Sequence, residues 1–590
     1  MSSILPLPVA VPLLGAALIV ATDRVVPRIV KDAIGLVASG AACAFGIALA
    51  LESGGHATTH WFGGWHPRGG LAIGIAFQLD PLGAAMAALA GGIVFCALLY
   101  SRTFMQEAAQ LFDVLLLVCC AALCGFALSR DLFNLFVWLE LAGVAAFALT
   151  GFEIRQLGPL QGAVNFAVVN TLGGYFVLLG IALVYARTGA LNLAQIGRAL
   201  AGAKPDGLVI VAFTLIVSGF FCKAAIVPFH FWLADAYAVA PSPVCAVFAG
   251  VMTDVGLFGV ARVYWTAFSG AFGTAPSGLL VALGVATALV GGAMAFLQRN
   301  LKRMLAYSVV CHLGVMLAGF GLLSAKGLAG AAAMLLAHGL LAAGLFLAVG
   351  LLLAWRGSVD ELRLRGRGAG RRWLAALWFG GAIALAGPPY LGTYLGHSLI
   401  DDAAAESGRG WLPPLLWLAG ALASAALVRA GLRVFVGLGV AEDPLLAREP
   451  DERPPPRGSG VALTLPVTAF LLACGALVSL VPGLAPRAEQ GAARFVDRAG
   501  YAATVLDGRA PHLPPAPPLA LEASSTETIL YSLATLALVA ALAAFGLRRH
   551  AARRPIALLK ELHSGVIGDY VMWFTVGTAF MGGVWALMLR

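Results

Sequence analysis

Blocks of mostly apolar residues follow one another along nearly the whole chain. Each is close to the ~20 residues that a helix needs to cross the hydrocarbon core of a bilayer. They occupy 3–21, 33–51, 80–100, 109–129, 131–151, 161–185, 207–239, 243–267, 275–297, 304–324, 329–354, 373–400, 411–437, 460–482, 526–547 and 567–589. The pattern predicts an all-α polytopic membrane protein with about sixteen transmembrane helices. The first block follows an uncharged N-terminus without a cleavage site, so a helix is expected there rather than a signal peptide.

The polar stretches between blocks set an orientation, because Lys and Arg gather in cytoplasmic loops. Here they fall in alternate loops: Arg24, Arg28 and Lys31; Arg299, Lys302 and Arg303; six arginines from Arg356 to Arg372; and Arg548, Arg549, Arg553, Arg554 and Lys560. The opposite loops hold no charge at 265–274, a mostly acidic set at 401–409 (Asp401, Asp402, Glu406, Arg409) and a Pro-rich stretch at 484–525. One outer loop, with Arg187, Arg198 and Lys204, runs against the trend. The alternation predicts a multi-pass protein of a cell inner or plasma membrane with both termini outside.

Composition agrees and narrows the function. Of 590 residues, 11% are charged and 60% hydrophobic, against roughly 25% charged in soluble domains. The net charge of +9 is scattered between blocks, with no basic stripe, which argues against a nucleic-acid partner. The nine cysteines form no CxxC pair, and Cys119, Cys120 and Cys124 share one apolar block, where small packing residues are expected. No P-loop or dinucleotide-binding motif is visible. The residues point to no metal, no cofactor and no catalytic centre of the chain's own.

Two blocks carry helix breakers. Pro228 follows Lys223 by five residues, and Gly387-Pro388-Pro389 lies inside 373–400 with Gly392 close by. Proline removes a backbone donor and clashes with the preceding turn. Broken helices at membrane depth are tolerated where they are buried or line a wet cavity. Pro228, Gly387, Pro388 and Pro389 are therefore the predicted hinges, and their spacing of five blocks suggests two inverted repeats.

Charge inside the blocks is rare and costs about 2.5–3.5 kcal/mol at a helix centre on insertion scales. Glu140, Lys223, Asp254, His312 and His338 lie near the middles of their blocks, and His397 nears the outer end of its own. Together they suggest a hydrophilic path for protons. Lys223 carries most weight: the chain has 32 Arg but 6 Lys, and arginine stays protonated whereas a buried lysine can release its proton. The alternative is a structural ion pair with Glu140, and a pair that opens and closes would serve both roles. Each histidine alone fits a hydrogen-bonded packing role better than a relay. Asp80 and Asp235, near block ends, fit solvated or capping roles.

Around these residues the sequence resembles one family. The carriers are DLFNLFVWLE (Asp131–Glu140), KAAIVPFHFWLADAYAVAPSPV (Lys223–Val244), LKRMLAYSVVCHLG (Leu301–Gly314), HGLLAAGLF from His338 and GPPYLG from Gly387. They are similar to motifs of the antiporter-like membrane subunits of respiratory complex I, membrane-bound hydrogenases and Mrp-type cation/proton antiporters, over roughly residues 60–440. GGWHPRGGLAIGIAFQLD and GALNLAQI look most like the Mrp D and hydrogenase-linked branches, and LHSGVIGDYVMWF resembles the C-termini of the longer subunits.

The resemblance implies two inverted five-helix repeats with two broken helices. It divides the chain into N-terminal helices (1–106), an antiporter-like core (107–440) and C-terminal helices with a Pro-rich external loop (441–590). It implies a switchable glutamate–lysine pair, matched by Glu140 and Lys223, and further lysines that pass protons to an exit. Those lysines are replaced here by Asp254, Ala342 and Gly396. Either the path is rerouted through Asp254, His312 and His338 with His397, leaving Lys223 to pair with Glu140 or Asp254, or conduction is lost. The expected activity is translocation of H+, with Na+ linkage open, in a redox-driven or antiporter complex; the chain is at most the ion-translocating subunit of a translocase. An ion-coupled module of inorganic-carbon uptake and a non-conducting scaffold are the alternatives. The expected partners are other membrane subunits, the bilayer and, in a redox-driven complex, soluble Fe–S subunits on the cytoplasmic side.

Overall fold

The computed structural model describes residues 3–53, 58–104, 109–153, 157–202, 204–439, 461–508, 525–548 and 565–589. Arg549, Arg553, Arg554 and Lys560, and the Pro-rich residues 509–524, lie outside the described residues. The described chain is a helical bundle with one small antiparallel hairpin, β1 (Thr59–Trp61) against β2 (Ala76–Gln78).

The first helices are α1 (Leu7–Ala21), α2 (Arg28–Glu52), α3 (Pro81–Phe104), α4 (Ala109–Leu128), α5 (Leu132–Thr150), α6 (Leu157–Thr188) and the short α7 (Leu193–Leu200). A broken segment follows, α8 (Gly207–Lys223) and α9 (Phe231–Val239). Then come α10 (Ser242–Phe272), α11 (Ser277–Leu297), α12 (Leu301–Gly321) and α13 (Ala325–Arg356). A second broken segment is α14 (Arg372–Leu385) and α15 (Tyr394–Glu406). The chain ends with α16 (Leu412–Val436), α17 (Val461–Leu477), α18 (Leu484–Val496), α19 (Arg498–Asp507), α20 (Thr526–Arg548) and α21 (Ile567–Met588).

Among the described residues, 12 helices are long and apolar enough to cross a membrane. The number is 13 if the pair Thr464–Leu480 and Leu484–Val496, bent by 83°, is one span. The sequence pattern predicts more because it treats each apolar block as one crossing. The remaining blocks hold the shorter apolar helices α1, α8 and α14, and two of these are short because a proline-containing break ends them. The most deeply buried spans are α12, α10 and α13, so Asp254, His312 and His338 sit at the centre of the bundle. Small residues let the central helices approach: Gly284 and Gly291 of α11 and Gly314 of α12 lie so close to the facing backbone that a Cβ would overlap it.

Three expectations from the sequence need correction. The stretch 484–525, expected as a loop, contains α18 and α19. In α18 the apolar spacing of Ala485, Gly491, Ala492 and Phe495 is helical, and these residues are buried in a helix packed on α13 and α3.

Asp80, expected to be solvated or capping, does cap α3, accepting from the Gly83 N–H at 3.0 Å, but it is also a half-buried ion-pair hub. It binds Arg130, and Arg262 at 2.8 Å. Burial pushes its carboxyl up, but Arg262 and Arg130 outweigh that and hold it below the ordinary carboxylate range. Asp235 is likewise half-buried and bonded: it accepts from Arg303 Nη1 at 2.8 Å and from the Tyr570 hydroxyl at 2.6 Å, tying α9 to α12 and α21.

Candidate functional site

The geometry begins with the first break. α8 ends at Lys223, and α9 starts only at Phe231. The backbone groups freed between them find new partners. The Val227 N–H donates to Thr287 Oγ1 at 3.1 Å, and the Trp232 indole N–H donates to the Cys222 carbonyl at 2.9 Å. Re-satisfaction by neighbouring side chains is what lets a break exist at this depth. It also leaves Lys223 as the last residue of a half-helix, where the negative end of the helix dipole favours a cation.

α5 supplies the counter-charge. Its start is fixed by Asp131, whose carboxylate accepts from the Asn134 N–H at 2.8 Å. Two turns on, Glu140 Oε1 lies 3.4 Å from Lys223 Nζ. Neither atom makes a hydrogen bond among the described residues, so the contact is a charge pair that can part without breaking one. The lysine side chain is 9% exposed and the glutamate 26%. The Phe147 ring lies 5.8 Å from the ammonium.

Space for the pair comes from glycines on both sides. A Cβ on Gly174 of α6 would overlap Glu140 Oε1, and one on Gly143 would stand 3.1 Å from Lys223 Nζ. Gly174→Ala is therefore expected to push Glu140 off the lysine. Ion translocation should fall several-fold or more with assembly retained, read as transport rate against subunit content in vesicles.

Asp254 is fully buried. It starts the second α-helical stretch of α10, one residue after a π turn at Phe248–Met252, a local widening that recurs at functional positions. Neither carboxylate oxygen makes a hydrogen bond, and no ion pair forms among the described residues. Of the two partners left open by the sequence, Lys223 takes Glu140.

The histidines form a second cluster. His312 and His338 stack with ring centroids 4.7 Å apart. His312 Nδ1 meets the Ser308 carbonyl at 2.8 Å, and its Nε2 meets the Leu385 carbonyl at 3.4 Å. Both neighbours are acceptors, so a neutral ring serves one of them and a protonated ring serves both. His338 has no hydrogen bond on either nitrogen among the described residues. Leu385 is the last residue of α14, so the second break presents its carbonyl to this cluster.

That break is built by Gly387, Tyr390 and Gly392 in left-handed conformations. Its groups are held by Ser532, which donates to the Gly387 carbonyl at 2.6 Å, and by Thr393, which donates to the Leu385 carbonyl at 3.0 Å. Pro388 and Pro389 lie in the break, as Pro228 lies in the first. His397 sits on α15 and stacks on Trp417, ring centroids 4.1 Å apart.

The structure thus joins Glu140 to Lys223 and His312 to His338, and it leaves Asp254 without a bonded partner among the described residues. Sequence reasoning missed Lys302, which reads as a loop charge but is fully buried and donates to the Ala240 carbonyl at the end of α9. It also passed over His230, buried at the start of α9 two residues after Pro228. A titratable residue so close to a predicted hinge was the available signal.

The sequence and the geometry can be set beside known proteins. A family model described as NADH:quinone oxidoreductase/Mrp antiporter, TM, matches residues 129–423, and one described as NADH-ubiquinone oxidoreductase (complex I), chain 5 N-terminus, matches 65–111. The chain belongs to the NADH:quinone oxidoreductase/Mrp antiporter family. All six titratable residues singled out above fall inside the longer match.

Among relatives of this antiporter family, NADH-quinone oxidoreductase subunit N of Desulforudis audaxviator is 34% identical over 47% of this chain and 55% of its own length. A probable K(+)/H(+) antiporter subunit of Rhizobium meliloti is 34% identical over 45% of this chain and 50% of its own. The chain therefore spans about half the length of these two relatives. A chain from the structure of the Mrp complex of Dietzia sp. DQ12-45-1b superposes with a TM-score of 0.74, at 25% identity, over 86% of this chain and 99% of that one. Membership makes this a multi-pass integral membrane protein of a family built into multisubunit complexes.

Proposed function

We propose that this chain is the proton-translocating subunit of a multisubunit membrane complex, moving H+ along a buried line of titratable groups. The observation that carries the reading is the Glu140–Lys223 contact at 3.4 Å, with no hydrogen bond among the described residues holding it closed. While the pair is closed, Glu140 stabilises the ammonium. When Glu140 moves away, the ammonium is left buried without its counter-charge, which is costly, and the proton is passed on. Asp254 and the stacked His312 and His338 are the next sites along the bundle centre, with His397 beyond them. Burial of all four supports a path shielded from bulk solvent.

Three further features belong to this reading. Counting α1, the α8–α9 pair and the α14–α15 pair as crossings, and α17–α18 as one, gives about sixteen helices with both termini outside. The two breaks lie in the seventh and twelfth of the predicted blocks, the five-block spacing expected of inverted repeats. The Glu140 face of α5 is otherwise apolar and open, with Phe133, Val137 and Val144 exposed. A carboxylate on such a face is costly against lipid, so another membrane subunit is expected to cover it. Na+ linkage and soluble Fe–S partners depend on which complex contains the chain.

The reading is tested in the purified complex in proteoliposomes. Glu140→Gln keeps the size of the side chain and removes its charge, and it should lower proton translocation at least tenfold without changing subunit content. Wild-type rates would overturn the reading. They would favour a scaffold, which the replacement of family lysines by Ala342 and Gly396 also fits.

A further inference from the structure

A proton path has to reach water, and the buried histidines do not: His397, the outermost, is 1% exposed. We propose that Asp401 passes the proton between His397 and the surface, with Trp417 positioning the two. The proposal rests on the translocation reading above and assigns the mouth of the path.

Along α15 exposure rises in steps, from His397 to Asp401 at 6%, then to half-buried Asp402 and to Glu406, whose side chain is 61% exposed. His397 and Asp401 are four residues apart, one turn on the same helix face. The Trp417 ring lies flat on His397 with 22° between the planes, and its indole N–H donates to Asp401 Oδ2 at 2.9 Å. One side chain of α16 therefore touches both groups. An indole N–H donates but does not accept, so Trp417 cannot carry the proton; it orients the imidazole and the carboxylate that do.

The surroundings fit a mouth. From α20, the Thr528 hydroxyl and the Glu527 carboxylate face Asp401. On its own helix, Asp402 is close enough to act on it electrostatically. From α13, Lys326 pairs with Glu406 at 2.6 Å and acts on Asp402. Asp401 thus stands between a buried imidazole and an acidic, solvent-reaching rim.

The step balances as a plain proton transfer. The N–H bond of the His397 imidazolium breaks and an O–H bond forms on Asp401; that bond then breaks to water, restoring the carboxylate. No oxidant or co-reactant takes part. The reverse sequence loads the path from the same side.

The experiment uses the assembled complex in proteoliposomes, with Glu140→Gln as comparator. Asp401→Asn should lower proton translocation at least tenfold, and Asp401→Glu should restore more than half of it. Trp417→Phe keeps a flat ring on His397 and loses the N–H. It should therefore move the pH at half-maximal rate toward alkaline by about one unit, the equivalent of one hydrogen bond to a charged group.

Wild-type rates in Asp401→Asn beside a defective Glu140→Gln overturn the mouth and leave the translocation reading standing. Wild-type rates in both overturn both. Loss in Asp401→Glu as deep as in Asp401→Asn also overturns the proposal, because it marks a packing role. Should Asp401→Asn fail to assemble, an unshifted pH profile in Trp417→Phe overturns it.

Discussion

Lys223→Arg is expected to stop proton translocation as completely as Lys223→Ala, with a loss on the order of a hundredfold or more, the usual scale for removing a proton-transfer group. The two substitutions separate the roles that one ion pair can play. Arginine keeps the positive charge at the end of α8, keeps the favourable helix dipole and keeps Glu140 as a partner. A lysine that serves only as the cationic half of a fixed pair would be replaced adequately. Arginine does not release its proton in a protein, so a group that must load and unload one is not replaced at all.

The larger guanidinium has to fit beside Gly143, where even a Cβ would stand 3.1 Å from the present ammonium. Transport is therefore read together with subunit content and thermal stability of the complex, and the expected result is lost transport in an assembled, stable complex. Pumping at the wild-type rate in the arginine variant would make the pair a structural one.

How much of this was legible in the sequence follows from what burial does to different residues. Glu140 and Lys223 stand out because a charge amid an apolar block has no cheap explanation, and Pro228 and Gly387 stand out because a breaker amid one has none either. That Glu140 and Lys223 meet is another matter: 83 residues separate them, and only the packing of α6 against both α5 and α8 decides it. The stack of His312 on His338 and the contact of Trp417 with Asp401 were hidden for the same reason.

Lys302, Asp80 and Asp235 were misread for a different reason. Each lies at the edge of a block, where hydropathy expects loop chemistry, and loop charges are usually solvated. In this fold the edges are covered: Lys302 by the end of α9, Asp80 by Arg130 and Arg262, Asp235 by Arg303 and Tyr570. The helix α18 escaped because a Pro-rich neighbourhood masks its apolar spacing. The coarse class and the charged residues at depth come from local composition, whereas pairing comes from tertiary contacts that no single window contains.

Asp254 gives the second large effect, because there stability and transport should move in opposite directions. Its carboxyl is fully buried without a hydrogen bond or an ion pair among the described residues. An unsatisfied buried polar group costs about 1–3 kcal/mol, and an uncompensated charge costs more. A residue kept only for packing would not be an aspartate. Asp254→Leu should therefore stabilise the complex by about 1–3 kcal/mol, seen as a higher midpoint of thermal unfolding, while lowering proton translocation at least tenfold. Asp254→Asn, which keeps the shape but cannot ionise, should lose transport to the same extent with little gain in stability.

The pair of readings discriminates among three roles. Lower stability in Asp254→Leu would mean that the carboxylate has a partner in the assembled complex. Higher stability with full transport would mean that the buried charge is incidental and that protons pass from Lys223 to the histidines without it. Only the combination of higher stability and lost transport fits a carboxylate retained, at a cost to the fold, because a proton must stop there.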